Sequence, residues 1–464
     1  MGRSHGSKDV AAHLLLRHPV SPDAAILAAQ GEGPRRGWRG VVLSPFSLHG
    51  PAPLGKDEAR ALLNGRMVAR STSPYARHWS LDPDVVFLNH GSFGATPTAV
   101  LAEQQHWRDR MEADPVAFLD GEGLEGMHAA RRALAGMLGC DADDLALIDN
   151  ATSGVNTVLR SMRLSPGDEI LVPDHAYQAC RNAIDVVAER WGATVVTVPL
   201  PFPIEGPEVV LERMRAAVTD RTVLAMVDAI TSPTGLRMPF EDLVADLEGR
   251  GVAVLLDAAH GIGAVSLDLD AIGASWTTTN AHKWLCAPKG SAVLHVRKDK
   301  QEGLHPLTVS HGLTLPLEAG QSRFRAEFDW TGTRDLTAWC TLPFTVEHVG
   351  GMVDGGWPAI MARNRTSALE ARAMLCERLD LEVPCPDSMI ATLATLRLPL
   401  PPAGQQPGKD PLHLWLRERG VQIPVWSWPS PAGRYVRLSV HLHNSMEQYE
   451  HLADLLEEAM TVFG

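Results

Sequence analysis

The stretch Thr277-Thr278-Thr279-Asn280-Ala281-His282-Lys283-Trp284 decides the fold of this chain. Its lysine follows by 26 residues Asp257, which ends the apolar run Val252-Ala253-Val254-Leu255-Leu256. Threonine, asparagine, histidine and tryptophan surround Lys283, unlike the residues of an exposed helix face. A carboxylate at the end of one buried strand and a lysine after the next strand indicate a site at the carboxyl edge of a sheet.

This pair of residues is what a pyridoxal phosphate enzyme needs. Lys283 would form a Schiff base with the cofactor aldehyde, and Asp257 would keep the pyridine nitrogen protonated so that the ring withdraws electrons from the substrate α-carbon. Partial burial would lower the pKa of Lys283 and let it move the α-proton. His260 is placed to hydrogen-bond the phenolic oxygen of the cofactor, and a core histidine is the alternative interpretation.

From about Leu81 the chain alternates apolar strands with helices. Strands are predicted at 85–88, 145–148, 169–172, 194–198, 222–227, 252–256, 275–278 and 291–296. Thr96-Pro97 resembles a helix start with proline at the first helical position. The alternation predicts an α/β fold with a mainly parallel sheet that is covered on both faces.

After about residue 346 the pattern changes to a long helix at 358–379, strands at 391–398 and 435–440, and a final helix at 446–460. The predicted division is an N-terminal extension at 1–66, a large cofactor-binding domain at 67–345 and a small C-terminal α+β domain at 346–464. The extension holds nine Lys/Arg, five Asp/Glu and six prolines without a sustained apolar period. We therefore expect it to be disordered or loosely attached; a mistaken start upstream of Met67 or a transit peptide are the alternatives.

Composition narrows the possible partners. The chain has 464 residues, and its net charge of −13 argues against nucleic acid or an anionic membrane as the main partner. No apolar run reaches the roughly 18 residues that cross a bilayer. The six cysteines are scattered singly, without a CxxC pair or a His/Cys cluster in the sequence. This favours a reducing, cytoplasmic location and argues against a structural zinc site, so no metal is predicted.

Other residues at predicted strand ends suit the same cofactor. Thr152 and Ser153 open a helix whose amino end could hold a phosphate, although an ordinary helix cap looks the same. His175, or failing that Tyr177, could stack on the pyridine ring. Arg437 lies in a strand-like apolar run, where a guanidinium needs an anionic partner such as a substrate carboxylate; a structural salt bridge is the alternative.

Together these residues resemble the class V aminotransferase family of fold-type I pyridoxal phosphate enzymes, from about Leu81 to the C-terminus. Within the family the chain is most similar to the isopenicillin N epimerase group. The motifs that carry the resemblance are Leu88-Asn89-His90-Gly91-Ser92-Phe93-Gly94, Asn280-Ala281-His282-Lys283-Trp284-Leu285 and Trp330-Thr331-Gly332-Thr333-Arg334-Asp335. They are specific to the group rather than to one reaction.

The resemblance implies roles for individual residues. Lys283 and Asp257 would be catalytic, with His260 at the ring hydroxyl; His175, placed at the ring by its position after a strand, is the third catalytic candidate. Phosphate contacts would come from Thr152, Ser153, Asn280 and His282, and from Thr333 (or Thr331) across a two-fold dimer with shared sites. Arg437 would hold the α-carboxylate, while His90, Gly91, Ser92 and Tyr177 would face the substrate.

The reaction remains open among three outcomes at the α-carbon of an amino acid or aminoacyl substrate. The first is epimerisation, in which Tyr177 or His90 returns the proton on the second face. The alternatives are a C–S lyase of the ergothioneine sulfoxide lyase type and an aminotransferase; a non-enzymatic regulator on the same fold is remote. Persulfide chemistry is not expected, because residues 425–434, just before the carboxylate arginine, contain no cysteine.

Overall fold

A computed structural model describes residues 73–317, 319–403, 410–429 and 432–464. The N-terminal extension predicted at 1–66 lies outside the described residues. The strands are β1 (Val86–Phe87), β2 (Leu145–Ile148), β3 (Glu169–Pro173), β4 (Thr194–Val198), β5 (Thr222–Asp228), β6 (Ala253–Asp257), β7 (Trp276–Asn280), β8 (Ala292–Val296), β9 (Leu393–Leu398), β10 (Val421–Gln422), β11 (Val425–Pro429) and β12 (Ala432–Ser439).

Helices connect most of these strands. They are α1 (His90–Phe93), α2 (Thr98–Ala113), α3 (Pro115–Ala117), α4 (Gly123–Leu138), α5 (Ala151–Ser161), α6 (Gln178–Trp191), α7 (Pro207–Ala216), α8 (Phe240–Gly249), α9 (Leu269–Ile272), α10 (Arg323–Asp329), α11 (Thr337–Cys340), α12 (Leu342–Gly350), α13 (Gly356–Arg378), α14 (Pro411–Glu418) and α15 (Met446–Phe463). A π-helical turn, Phe118–Glu122, joins α3 to α4.

The central sheet has seven strands in the order β2-β8-β7-β6-β5-β3-β4. Strand β8 runs antiparallel to both of its neighbours, and the other neighbouring pairs are parallel. This confirms the predicted α/β fold with a mainly parallel sheet. The carboxyl ends of β5, β6 and β7 lie side by side, because Asp228 is in register with Asp257 and Asp257 with Thr278.

Alternate residues of the central strands enter different hydrophobic clusters. In β6, Val254 and Leu256 belong to one cluster, whereas Leu255 belongs to the other. All three side chains are buried. Because side chains alternate across a strand, helices on both faces bury the sheet, which explains the continuous apolar runs in the sequence.

The C-terminal part forms a separate antiparallel sheet in the order β11-β12-β9. The parallel pair β1–β10 joins the start of the described chain to its C-terminal part, with Val86 in register with Val421. Helix α12 (Leu342–Gly350) runs across the predicted boundary between residues 345 and 346. The division into large and small domains stays a prediction.

One predicted helix start differs from the structure. Helix α2 begins at Thr98, and Pro97 precedes it in an extended conformation instead of occupying the first helical position. The Thr96 hydroxyl donates to the carbonyl of Ala287 at 3.0 Å and does not cap the helix. The Thr96 hydroxyl, which the local sequence pattern predicted as a helix cap, is instead used in a tertiary hydrogen bond.

Candidate active site

Lys283 lies in the turn that follows β7 and is partly buried. Its Nζ is 3.3 Å from Nε2 of His260. Burial, and next the positive charge of Arg437, lower the pKa of the Lys283 ammonium to about 8. Lys283 therefore loses its proton more readily than an ordinary lysine, as a nucleophile or base requires, although the ammonium is still the major form at pH 7.

Asp257 ends β6 as the sequence predicts, and its carboxylate is buried. Oδ1 accepts a hydrogen bond from the Ala259 amide at 2.9 Å, and Oδ2 accepts one from the Cys180 thiol at 3.3 Å. Asp228 stands beside it at the end of β5, and its Oδ2 is buried without a hydrogen-bond partner among the described residues. Burial raises the pKa of both carboxyls, and the charge of Asp257 raises that of Asp228 further.

Two neighbouring buried carboxyls with an unpartnered oxygen favour a positively charged ligand group close by. A protonated pyridine nitrogen is such a group. The residues present at this sheet edge therefore fit pyridoxal phosphate.

His260 is held by Trp284. The indole N–H of Trp284, which can only donate, points to Nδ1 of His260 at 3.1 Å. Burial, and next the charge of Lys283, hold the pKa of His260 well below its usual range. The neutral ring therefore carries its proton on Nε2, and that N–H faces Lys283 Nζ, where it favours the neutral amine as acceptor.

The predicted phosphate residues surround the amino end of α5. Asn150 caps this helix by accepting from the Ser153 amide at 2.9 Å. The Ala151 amide donates to Asn280 Oδ1 at 2.8 Å, so Asn280 positions the helix start. Thr152 and Ser153 remain partly exposed, as does His282, whose Nδ1 donates to the Ser291 carbonyl at 3.0 Å. Because the amides of Ala151, Ser153 and Gly154 are engaged within the protein, an anion here would rely on the Thr152 amide and on the side chains of Thr152, Ser153 and His282.

Arg437 is a buried guanidinium on β12 without a carboxylate partner in the described part of the chain. Its Nη1 donates to the Ser232 carbonyl, and Nη2 lies 3.5 Å from Ser92 Oγ. Its Nε is buried and has no hydrogen-bond partner among the residues that the structure describes. Burial lowers the pKa of Arg437 to about 10. A buried guanidinium with unused N–H groups is suited to a ligand carboxylate.

Two predicted residues have their ring nitrogens engaged elsewhere. His175 is buried, with Nδ1 2.9 Å from Thr234 Oγ1 and Nε2 3.3 Å from the Leu200 carbonyl. His90 is also buried, with Nε2 3.0 Å from the Lys283 carbonyl. Its Nδ1 lies 3.1 Å from His443 Nε2. These contacts do not support a substrate-facing role for His90.

The remaining predicted residues differ in their surroundings. Ser92 lies at Arg437, and Gly91 is buried next to it, where its amide donates to Ser439 Oγ at 3.1 Å. Tyr177 is 46% exposed and close enough to influence the charge of Arg437. Thr333 is exposed, so a contact across a dimer stays a prediction.

Sequence reasoning missed Asp228, Cys180 and Trp284. A signal existed for Asp228, because it ends an apolar strand in the same way as Asp257. The other two had none, since the contacts of Cys180 with Asp257 and of Trp284 with His260 exist only in the folded chain.

A family model for class V aminotransferases matches residues 86–377. The chain belongs to the class V aminotransferase family. The sequence prediction of pyridoxal phosphate as the cofactor is thereby confirmed. Among the described residues, no helix has both the length and the hydropathy to cross a bilayer.

Relatives in this family carry different activities. The chain is 32% identical over 408 residues to the probable chloroplastic L-cysteine desulfhydrase of Arabidopsis thaliana, covering 83% of this chain and 84% of that protein. It is 32% identical over 386 residues to isopenicillin N epimerase of Streptomyces clavuligerus, covering 81% and 95%. A solved structure of a C-DES variant with glycine covalently linked to its PLP cofactor shares the fold, with a TM-score of 0.67, 19% identity and coverage of 82% and 97%.

Proposed function

We propose that this class V enzyme removes the α-proton of an amino acid or aminoacyl substrate, with Arg437 as the carboxylate site and Lys283 as the base. The observation that carries the proposal is the buried guanidinium of Arg437, which has an unused Nε–H and no carboxylate partner among the described residues. Lys283 lies near enough for the charge of Arg437 to lower its pKa. A substrate carboxylate would pair with Arg437, and its α-carbon would then lie near Lys283.

Pyridoxal phosphate, when bound, supplies the electron sink for the breaking bond at the α-carbon. Asp257 and Asp228 would hold its ring nitrogen, and the amino end of α5 with Thr152, Ser153 and His282 would hold its phosphate. Lys283 Nζ takes the proton, and the Nε2–H of His260 keeps that nitrogen in its amine form and in place. Ser92 assists Arg437 in orienting the carboxylate.

The geometry best supports an elimination that expels a β-sulfur substituent. Such a C–S lyase reaction needs one base, and Lys283 supplies it. The relatives of this chain include a probable L-cysteine desulfhydrase, to which it is 32% identical. Both ring nitrogens of His90 are engaged in other contacts, so His90 does not supply the second acid that epimerisation needs.

Epimerisation is the second candidate. The exposed Tyr177 near Arg437 favours it, because its hydroxyl could return a proton that Lys283 removed from the other face. The epimerase relative at 32% identity supports the same outcome.

Purified protein with pyridoxal phosphate and a panel of amino acids in deuterated water would test both candidates by NMR. We expect α-proton exchange, lost in Lys283→Ala. Release of pyruvate or a sulfur fragment from cysteine-type substrates would support the lyase. The opposite enantiomer, lost in Tyr177→Phe while exchange persists, would assign epimerisation. Cofactor binding without exchange on any substrate would contradict the proposal.

A further inference from the structure

Three histidines from distant parts of the chain meet directly behind the Lys283 turn. His90 begins α1, while His441 and His443 follow β12. All three are buried, and each offers one ring nitrogen within 4.8 Å of the others. The proposed reaction uses none of them.

Two of the rings are oriented by backbone carbonyls. His90 Nε2 is 3.0 Å from the Lys283 carbonyl, and His441 Nε2 is 3.4 Å from the Trp284 carbonyl. If Nε2 of each neutral ring carries the proton and donates to its carbonyl, Nδ1 of that ring holds a lone pair that can bind a metal. Histidines that bind metals commonly donate their other N–H to a backbone carbonyl in this way.

Of the nitrogens left by this orientation, that of His441 has no hydrogen-bond partner within the described chain and that of His90 faces His443. His441 Nδ1 is buried without any hydrogen-bond partner among the described residues. His90 Nδ1 faces His443 Nε2 at 3.1 Å, close to the spacing of two nitrogens on one tetrahedral ion.

We propose that His90, His441 and His443 bind one divalent transition-metal ion. Three neutral imidazoles suit zinc, copper or nickel rather than magnesium or calcium. The rings of His90 and His441 stack at 4.2 Å and 21°, so they tilt apart on binding to bring the ion into both ring planes. Cys286 is not a ligand, because its Sγ lies on the Nε2 side, 3.3 Å from His441 Nε2 and 3.8 Å from His90 Nε2.

One of the three histidines also borders a cavity. His443 lines a cavity of about 440 Å³ that is bounded by residues 73–87 and by Asn444 and Gln448. This cavity has room for a water ligand. The ion would tie α1 to the segment after β12 and fix the carbonyl of Lys283 through His90. The role of the ion is therefore to stabilise the backbone that carries Lys283, and it takes no part in bond breaking.

The test uses untagged, cofactor-loaded protein that has been dialysed against a chelator and is titrated with Co²⁺, followed by its visible d–d absorption. We expect one Co²⁺ per chain, displaced by Zn²⁺, and a rise in Tm with Zn²⁺. His443→Phe and His441→Gln should each weaken Co²⁺ binding by more than roughly 100-fold. His295→Gln is the matched control, because His295 is buried in β8 outside the cluster. Neither of its ring nitrogens has a hydrogen-bond partner among the described residues, although Nε2 lies 3.9 Å from an Asp270 carboxylate oxygen.

Two results would overturn the proposal. One is the absence of stoichiometric Co²⁺ binding by the unaltered protein, which would leave the histidines as a neutral hydrogen-bond network. The other is binding that persists in both cluster variants, which would place the ion elsewhere. The first result is obtained with the unaltered protein, so the test remains decisive even if the variants do not fold.

Discussion

At the scale of single residues, the site depends on charges that burial makes unfavourable. Arg437 is buried and Lys283 partly buried, and the pKa of each cation is lowered towards its neutral form. Asp257 and Asp228 are enclosed carboxyls whose pKa values are raised. The protein alone does not pair these groups fully, and such uncompensated groups are typical of ligand sites.

The first prediction concerns the pH dependence of Lys283. In cofactor-free protein the amine fraction rises with pH through about 8, because burial and Arg437 disfavour the ammonium, while Asp257 and Cys180 act in the opposite direction. The rate of pyridoxal phosphate capture, measured by absorbance, should therefore rise with a midpoint near that value. Arg437→Gln should move the midpoint upward. A midpoint near the ordinary 10.5 would contradict the effect of burial and of Arg437 on Lys283.

The second prediction concerns substrate binding. Arg437→Gln should raise KM for a carboxylate-bearing substrate by about 10- to 100-fold, because a charge-assisted hydrogen bond contributes about 1.5–3 kcal/mol. Steady-state kinetics on the substrate found by NMR would measure it. Arg397→Gln is the control, since Arg397 is an exposed arginine on the neighbouring strand β9. An equal KM in the two variants would remove Arg437 from the carboxylate site.

At the scale of elements, the loop around α1 has to approach the Lys283 turn closely. Gly94 follows α1 with φ of +71°, and a Cβ at this position would lie 1.9 Å from the His282 carbonyl oxygen. Position 94 therefore requires glycine for two reasons: the positive φ, and the lack of space for a Cβ atom. The sequence motif that ends in Gly94 thus has a packing cause.

A third prediction follows for Gly94→Ala. It should lower the free energy of unfolding by about 2 kcal/mol or more and weaken cofactor binding, because the Lys283 turn has to move. Gly136→Ala is the control: it lies in α4 with open space around its Cβ position and should be neutral or stabilising by about 0.5–1 kcal/mol. Denaturant unfolding monitors both, and unchanged stability of Gly94→Ala would show that the loop yields easily.

At the scale of the whole molecule, an apolar segment remains uncovered. The exposed large apolar side chains of this segment are Leu307, Val309, Leu313, Leu315 and Leu317. Such a concentration of exposed apolar groups favours an interface. It agrees with the sequence prediction of a homodimer in which Thr333 reaches the neighbouring site.

The fourth prediction tests that dimer. The double variant Val309→Asp/Leu315→Asp should dissociate it and weaken cofactor retention, because charged side chains would be buried without partners. Sedimentation and absorbance would measure mass and bound cofactor. Val462→Asp, in an exposed apolar position of α15, is the control and should stay dimeric. A monomeric unaltered protein that binds the cofactor fully would refute the shared site.

The amino-acid sequence by itself determined the α/β fold, the family and the position of Asp257 and Lys283 near one sheet edge. It could do so because strand periodicity and the groups at strand ends are local properties. The Asp257–Lys283 spacing spans only one strand connection. Asp228 could have been predicted in the same way, because it also ends an apolar strand.

Tertiary structure alone decided what each side chain contacts. His90 is 193 residues from Lys283 and 353 residues from His443 in sequence, yet it contacts both. The sequence placed His90 at the substrate and gave no sign of a histidine cluster, since no spacing rule connects such distant residues. The unpartnered Nε of Arg437 is equally a result of packing. A sequence specifies which groups are present, whereas burial and long-range contacts set which of them are left without a partner.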